Sequence, residues 1–542
     1  MDFDRRSFLQ FLMSLSPAAA LDWDSMPVGD RREAESDSFD AIIIGSGLGG
    51  LSCAAAFARQ GFKALVLEQH DKPGGYATTF RRPGGFVFDV SLHSTSVGER
   101  DGVHNLIPGF PEIRDVTFTP HPDLYRAIFP DYDFRVPQRN IGAYVNWLNA
   151  QFPDEREGIE ETFKLMAGLA DEIGRLSQAQ GKVEMSRFPK EFPYLVKAYR
   201  FTWGQLTDAH LKSPKLRAII SALWPYFGLP PSKLSAIYYG MPTYGYLRVG
   251  GYYPIGKSQK ISDAFAGYIR SRGGQVLLRT RVERILVKDG TAHGVRTADG
   301  KEYKAKVVVS NASAQETFRR LLEDGESLRE YLTRLDRLSV SLSCFQVFLG
   351  LKKDLVRKLG IKDTEIFVYP KYDHEAGYRA AVAADVESGF FGVTLYDNLY
   401  EGYSPKGKDT VNVICLQGFD HWEKYERDYR AGRKKAYRAE KERLANILIQ
   451  QVEKALLPGL SDAIQVKEIG SPLTNLRYTS NHRGAIYGWD QTLDNSGPRR
   501  LPHSTPIKNL YLAGAWTTPG HGYGGVLYSG LSCFAEIMKA WS

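Results

Sequence analysis

The apolar residues of this chain gather into a few unbroken runs, and the informative runs lead straight into turns rich in glycine. FDAIIIG, residues 39–45, has the continuous apolar character of a strand buried on both faces. LSCAAAFARQG, residues 51–61, reads as a helix closed by Gly61, and KALVLEQ, residues 63–69, as a second strand parallel to the first. GGQVLLRTRVERILVKDGTAHGVRTADGKEYKAKVVVSNAS, residues 273–313, predicts successive strands with turns at Asp289-Gly290 and Asp299-Gly300. Near the carboxyl end, residues 507–541 repeat the logic of the opening: an apolar strand, a glycine-rich turn from Gly514 to Gly525, then a helix. Residues 421–456 predict one long helix whose mixed charges form a solvated face.

The first turn carries the chemistry. In Gly45-Ser46-Gly47-Leu48-Gly49-Gly50, Gly45 allows the tight turn, Gly47 lets the backbone approach a pyrophosphate, and Gly50 permits close packing of helix on strand. The helix amino end then faces the anion. Glu68 closes the second strand about 20 residues on, where a carboxylate accepts hydrogen bonds from a ribose 2′-hydroxyl. This pattern holds a dinucleotide but does not separate NAD from FAD.

The segment after Glu68 does separate them. DKPGGYATTFRRPGGFVFDVSLH, residues 71–93, with Gly74-Gly75 and Thr78-Thr79, resembles the segment that succeeds the dinucleotide fold in FAD enzymes of the amine oxidase and carotenoid desaturase superfamily. With SPLTNLRYTSNHRGAIYGW (471–489) and NLYLAGAWTTPGHGYGG (509–525), nearly the whole chain after residue 37 resembles the phytoene desaturase, carotenoid isomerase and retinol saturase group. Amine oxidases usually carry an acid after the glycine of the last strand, whereas this chain has Gly514-Ala515. Two further departures are Ser91 in FDVSLH, where the group usually has glycine, and Lys257 in YYPIGKSQK, where a second glycine often stands.

The resemblance implies an α/β fold: a discontinuous FAD-binding Rossmann-type domain (38–95, 246–315 and 471–542) with an inserted α+β substrate domain (96–245 and 316–470). It implies FAD held by Gly45, Ser46, Gly47, Leu48, Gly49, Gly50, Glu68, Gln69, Gly74, Gly75, Val282, Gly514, Ala515, Gly524, Gly525 and Val526, with Val282 using its backbone near the adenine. The implied activity is oxidoreduction at carbon–carbon bonds of an apolar polyene or isoprenoid lipid by hydride transfer at flavin N5, as desaturase, saturase or isomerase. A flavin amine oxidase and a non-catalytic prenyl-binding relative, comparable to GDP dissociation inhibitors, are the alternatives. His93 and His521 are the candidate catalytic residues, because imidazole exchanges a proton near neutral pH, and Tyr523 is a candidate for packing on flavin or substrate. Quinone or oxygen is the expected electron acceptor, since no second nucleotide turn is visible.

Composition adds limits. The 542 residues exceed one compact core, and 70 Lys and Arg against 62 Asp and Glu give a net charge of +8 without a concentrated basic block. That balance suits weak attraction to anionic lipid rather than nucleic acid. Four scattered cysteines provide neither a metal site nor a disulfide framework. Two aromatic stretches, 188–206 and 223–254, are interrupted by Pro and Gly, which argues against a regular core helix and for the wall of an apolar tunnel. Arg5 and Arg6, a short apolar stretch and Ala18-Ala19-Ala20 resemble a twin-arginine export signal over residues 1–20, followed by a polar linker at 21–37. The expected location is periplasmic and peripheral to the membrane, or otherwise the cytoplasmic membrane face.

Overall fold

The computed structural model of the chain describes Trp23 and residues 26–29, 38–91, 93–96, 109–178, 183–184, 186–323 and 328–542. The twin-arginine stretch and most of the 21–37 linker lie outside the described residues.

Strand β1 (Ser38–Ile44) runs into helix α1 (Leu48–Arg59) and returns as β2 (Ala64–Leu67), pairing in parallel with Ile43 opposite Val66. The four residues of β2 and Ala41 to Ile44 of β1 are all buried, which explains why the runs are apolar without alternation. A hairpin, β3 (Thr79–Arg82) and β4 (Phe86–Asp89), leads away from this unit. Next come β5 (Phe118–Pro120), β6 (Tyr125–Ile128) and β7 (Asp133–Val136), then the helices α2 (Arg156–Gln178) and α3 (Ala236–Val249). The chain re-enters the first unit through β8 (Tyr252–Pro254), α4 (Lys257–Ser271), β9 (Gln275–Leu277), β10 (Val282–Lys288), β11 (Thr291–Thr297) and β12 (Glu302–Ser310). Asp289 and Gly290 both take positive φ, the conformation of a two-residue hairpin turn between β10 and β11. The second excursion holds β13 (Ser343–Leu351), β14 (Glu365–Val368), β15 (Phe391–Thr394), β16 (Thr410–Gln417), α5 (Asp420–Arg430), α6 (Lys435–Ala455) and β17 (Ile464–Gly470). The chain ends with β18 (Leu510–Leu512) and α7 (Tyr523–Trp541).

Pairing sorts these strands into two seven-stranded sheets, so the protein is α/β, a mostly parallel dinucleotide-type sheet with an inserted α+β part. The first has the order β10-β11-β12-β1-β2-β9, with β18 also on β12. Its β2, β1, β12 and β18 are mutually parallel, while β11 meets the start of β12 antiparallel on the edge that β18 uses further along. The second sheet, β17-β13-β16-β15-β14-β6-β7, is antiparallel except where β14 meets β6.

Two local expectations are corrected. The charged stretch 421–456 is two helices, α5 and α6, because Gly432 sits at φ +80 and breaks the run. The late apolar face survives in α6 as buried Leu444, Leu448, Ile449 and Val452. The Pro- and Gly-interrupted stretch around 240 is nevertheless helical, since α3 carries Gly240, Pro242 and Gly245 within its span. The stretch 188–206 folds as short helices whose Phe188, Phe192, Leu195 and Trp203 are buried core.

Helices α1 and α7 pack in direct contact, and Gly530 is a point of close approach. A Cβ there would press on Ser52 Oγ and the Gly49 carbonyl, and would stand 2.8 Å from Cys53 N. Backbone atoms cannot yield as a flexible side chain can. Gly530→Ala is therefore expected to cost about 1–3 kcal/mol, read as a lower midpoint in thermal unfolding. An unchanged midpoint would mean that the two helices have room to part.

Candidate functional site

The carboxyl ends of β1, β2, β12 and β18 open on one cavity of about 720 Å³, the place where a doubly wound sheet binds ligands. Gly45, at φ +90, turns the chain out of β1, and Gly47, Leu48 and Gly49 continue as cavity wall. Glu68, Gln69, Gly74, Gly75 and Val282 form the adjoining wall, and Gly514, Ala515, Gly524, Gly525 and Val526 the facing one. Two of the expected cofactor contacts, Ser46 and Gly50, do not line the cavity. Ser46 is fully buried and aims the carboxylate instead, its hydroxyl and N–H donating to Glu68 Oε2 at 2.6 and 2.9 Å. Gly50 makes room for its own turn: a Cβ there would strike the Gly45 carbonyl and approach Ile43 Cγ2 to 3.1 Å.

Sequence reasoning stopped short of Asn311 as a site residue. It comes directly after β12, donates its N–H to the Ile44 carbonyl at 2.9 Å, and lies where the two glycine turns converge. A Cβ on Gly47 would come within 2.7 Å of Asn311 Nδ2, one on Gly49 within 2.7 Å of Oδ1, and one on Gly514 would strike that same oxygen. The signal was its place at the carboxyl end of a strand parallel to β1. Arg500 was also missed. Its buried guanidinium donates to the carbonyls of Trp489, Thr517 and Ala515, at 3.2, 2.8 and 2.6 Å, and fixes the last turn from behind.

The residues present fit a dinucleotide. Neither α1 nor α7 has a side-chain cap at its amino end, their N-cap positions being Gly47 and Gly522, so the first amides are left for an anion. No acidic side chain occupies the first turn of either helix. His521 Nε2 and Tyr523 Oη are buried at the cavity wall without a protein partner among the described residues, as groups awaiting a polar ligand would be.

The model of the family "Flavin containing amine oxidoreductase" matches residues 48–538. The chain belongs to that family. Its relatives include the all-trans-retinol 13,14-reductase of Danio rerio, 28% identical over 93% of this chain and 86% of the relative. They also include prolycopene isomerase 1 of an Oncidium hybrid cultivar, 28% identical over 93% and 84%, and the neurosporene-forming phytoene desaturase of Rhodobacter capsulatus, 28% over 90% and 92%. Among solved structures, putrescine oxidase bound to putrescine superposes with a TM-score of 0.60 at 14% identity, covering 93% of this chain and 99% of that one, a likeness of fold. This flavoprotein is an FAD-dependent enzyme.

The far half of the cavity comes from the inserted part. Pro225, Tyr226, Phe227, Phe367 and Phe390 supply much of its wall, joined by Tyr238, Met241 and Pro242 from α3 and by Tyr487 from the last segment of the chain. His93 and His521 both line it. Their rings lie 6.3 Å from Tyr226 and 6.4 Å from Phe227, so two segments far apart in sequence meet one aromatic turn. His521 also packs on Tyr487 at 4.3 Å. Burial pushes His93 down to about 4, and burial beside Arg500 pushes His521 down to about 3, so both rings are neutral. Lys257, the residue out of pattern, is also accounted for: its ammonium donates to the Gly402 carbonyl at 2.7 Å and sits over the Tyr403 ring at 3.8 Å.

The geometry of Glu68 and the burial of the two histidines can each be tested. Glu68→Ala should weaken FAD binding about tenfold to a hundredfold, the worth of a hydrogen bond to a charged acceptor, measured by flavin fluorescence during titration of the apoprotein. Unaltered affinity would take Glu68 away from the ribose. In protein labelled with ¹⁵N at histidine, His93 and His521 should stay neutral at about pH 6, where an exposed imidazole is mostly protonated. A midpoint near the ordinary value for either ring would show that it is solvated.

Proposed function

We propose that this flavoenzyme transfers hydride between FAD and a carbon–carbon bond of an apolar polyene or isoprenoid lipid. The observation that carries the reading is the chemistry of the cavity wall. Glu68, Arg281 and Glu316 are its charged groups among the described residues: Glu68 directly follows β2, Arg281 directly precedes β10, and Glu316 closes the short helical turn after β12, so all three sit beside the first sheet. The other half, built by the insert and closed by His93, His521 and Tyr487 of the flanking segments, offers rings, aliphatic side chains and neutral imidazoles. Such a wall excludes water and holds an extended hydrocarbon by shape. The named activities of the relatives, on retinol, prolycopene and phytoene, support the same substrate class.

FAD, when bound, supplies the acceptor or donor of hydride at N5. The protein's own part is to seat the polyene along Tyr226, Phe227 and Tyr487 and to manage the proton that accompanies hydride transfer. His93 and His521 are the groups placed for that, being neutral and at the wall. An amine oxidase reading shares the fold. It fares worse because an ammonium carried into this half would find no free carboxylate at the wall, Gly514 being followed by Ala515.

The test is anaerobic incubation of the purified, FAD-loaded protein with all-trans-retinol, prolycopene and phytoene in detergent micelles, following flavin and polyene absorption together. Consumption of a polyene coupled to a change in flavin absorption, or its isomerisation by the reduced protein, is expected. In a parallel incubation with amines under air, hydrogen peroxide release while every polyene stays intact in the anaerobic one would replace this reading with the amine oxidase one.

A further inference from the structure

A buried carboxylate stands directly behind His93. Glu365 opens β14, is 1% exposed, and accepts three hydrogen bonds. Oε1 receives the Ser94 N–H at 2.8 Å and the Tyr396 hydroxyl at 2.9 Å, and Oε2 receives the Tyr226 hydroxyl at 2.5 Å. The Tyr396 oxygen is in turn 3.3 Å from His93 Nδ1. His93, Ser94 and Tyr226 line the cavity, whereas Glu365 and Tyr396 lie behind the wall. Among the described residues no Lys or Arg pairs with Glu365. The titratable groups that face it are His93, Tyr226, Tyr246 and Tyr396, with His121 held on the neighbouring Thr364 hydroxyl at 2.7 Å.

We propose that Glu365, Tyr396 and His93 form a proton relay ending in the cavity, with Glu365 as its buried terminus, Tyr396 as the bridge and His93 as the group that meets the substrate. The inference rests on the carbon–carbon chemistry proposed above. With Glu365 ionised, the one Tyr396 proton goes to the carboxylate, so the starting state has His93 Nδ1–H donating to Tyr396 and Nε2 left as an acceptor with no protein partner among the described residues. When a substrate C–H bond gives up its proton, Nε2–H forms, Nδ1 passes its proton to the Tyr396 oxygen, and the Tyr396 proton moves to Glu365. One proton has left the carbon, one carboxylate has become a carboxylic acid, and the imidazole ends neutral. Run backwards, the same bonds deliver a proton to carbon. The accompanying hydride belongs to the flavin. Glu365 suits the terminal place because it is the last acceptor of the chain and burial raises its carboxyl above the usual range, which favours its taking up a proton. Tyr396 and Glu365 are positioning residues; only His93 touches the substrate.

The test uses the FAD-loaded protein labelled with ¹⁵N at histidine, the His93 signal being assigned by its loss in His93→Gln. Wild-type protein should carry the His93 proton on Nδ1. Tyr396→Phe removes the bridge and should move that proton to Nε2. Glu365→Leu should do the same, because the Tyr396 hydroxyl, left without its acceptor, turns to donate to His93 Nδ1. Tyr246→Phe alters the packing around Glu365 without cutting the chain and should leave the tautomer in place. An unchanged tautomer in both relay variants, or the same shift in Tyr246→Phe, overturns the proposal. With whichever of the three polyenes reacts, Glu365→Gln should lower kcat by roughly a hundredfold with KM and FAD content kept, and a loss below about threefold would overturn the relay as well. The tautomer is read without turnover, so inactivity toward all three polyenes would count against the proposed function while the histidine signal still decides the relay.

Discussion

The site depends on how closely two turns and a strand end approach Asn311. β1, β12 and β18 run parallel and side by side, so their carboxyl ends arrive together, and any Cβ on Gly47, Gly49 or Gly514 would meet the Asn311 amide. The missing side chains therefore serve twice. They let the backbone reach a pyrophosphate, and they let the amino-terminal and carboxyl-terminal segments of one chain close on the same asparagine. Gly530 extends this logic along the helices, allowing α7 to rest on α1 with backbone nearly touching backbone. A flavin placed there would meet main chain from both ends of the sequence.

That crowding also explains which parts of the molecule were legible in the sequence. Parallel strands buried on both faces must be apolar throughout, and turns under a phosphate must be glycine, so FDAIIIG, the Gly45–Gly50 turn and the Gly514–Gly525 turn announce the fold class and a dinucleotide, and residues 71–93 narrow it to FAD by resemblance. Glu68 is visible for a similar reason, closing a strand at a fixed distance from the turn. Asn311 shows only as the residue that follows a predicted strand, and Arg500 and Glu365 carry no local signature at all. Each matters through partners more than 100 residues away or through carbonyls of irregular loops, and a polar side chain in a loop or at a strand start looks the same whether it is solvated or buried. Gly432 misled in the opposite sense: one glycine within a helical charge pattern is usually tolerated, and here it takes positive φ and splits α5 from α6.

The aromatic stretches show a different limit. Trp203 and Tyr239 are core, whereas Tyr226, Phe227 and Tyr238 face the cavity, yet all five come from the same kind of sequence. Composition reports that a segment avoids water, and only the packing says whether protein or a ligand takes the water's place. Tyr238 and Tyr239 are consecutive on α3, one turned to the cavity and the other to Trp203, at 4.6 Å. A helix with Gly240 against Leu169 and Pro242 at the wall serves both purposes because its two sides meet different neighbours.

The burial that makes the wall suitable for hydrocarbon also constrains its acid–base groups. A charged imidazole or carboxylate in this half would have to be paired or would lose its charge, and both cavity histidines have taken the second course. A neutral imidazole that accepts a proton must hand one on at once, since an isolated imidazolium is disfavoured here by the same burial. His521 has Arg500 behind it, a group that deepens the penalty. His93 has Tyr396 and Glu365 behind it, a route by which the charge is cancelled as it forms. The asymmetry between two histidines on one aromatic turn is thus electrostatic, and it favours His93 over His521 as the ring that moves a proton.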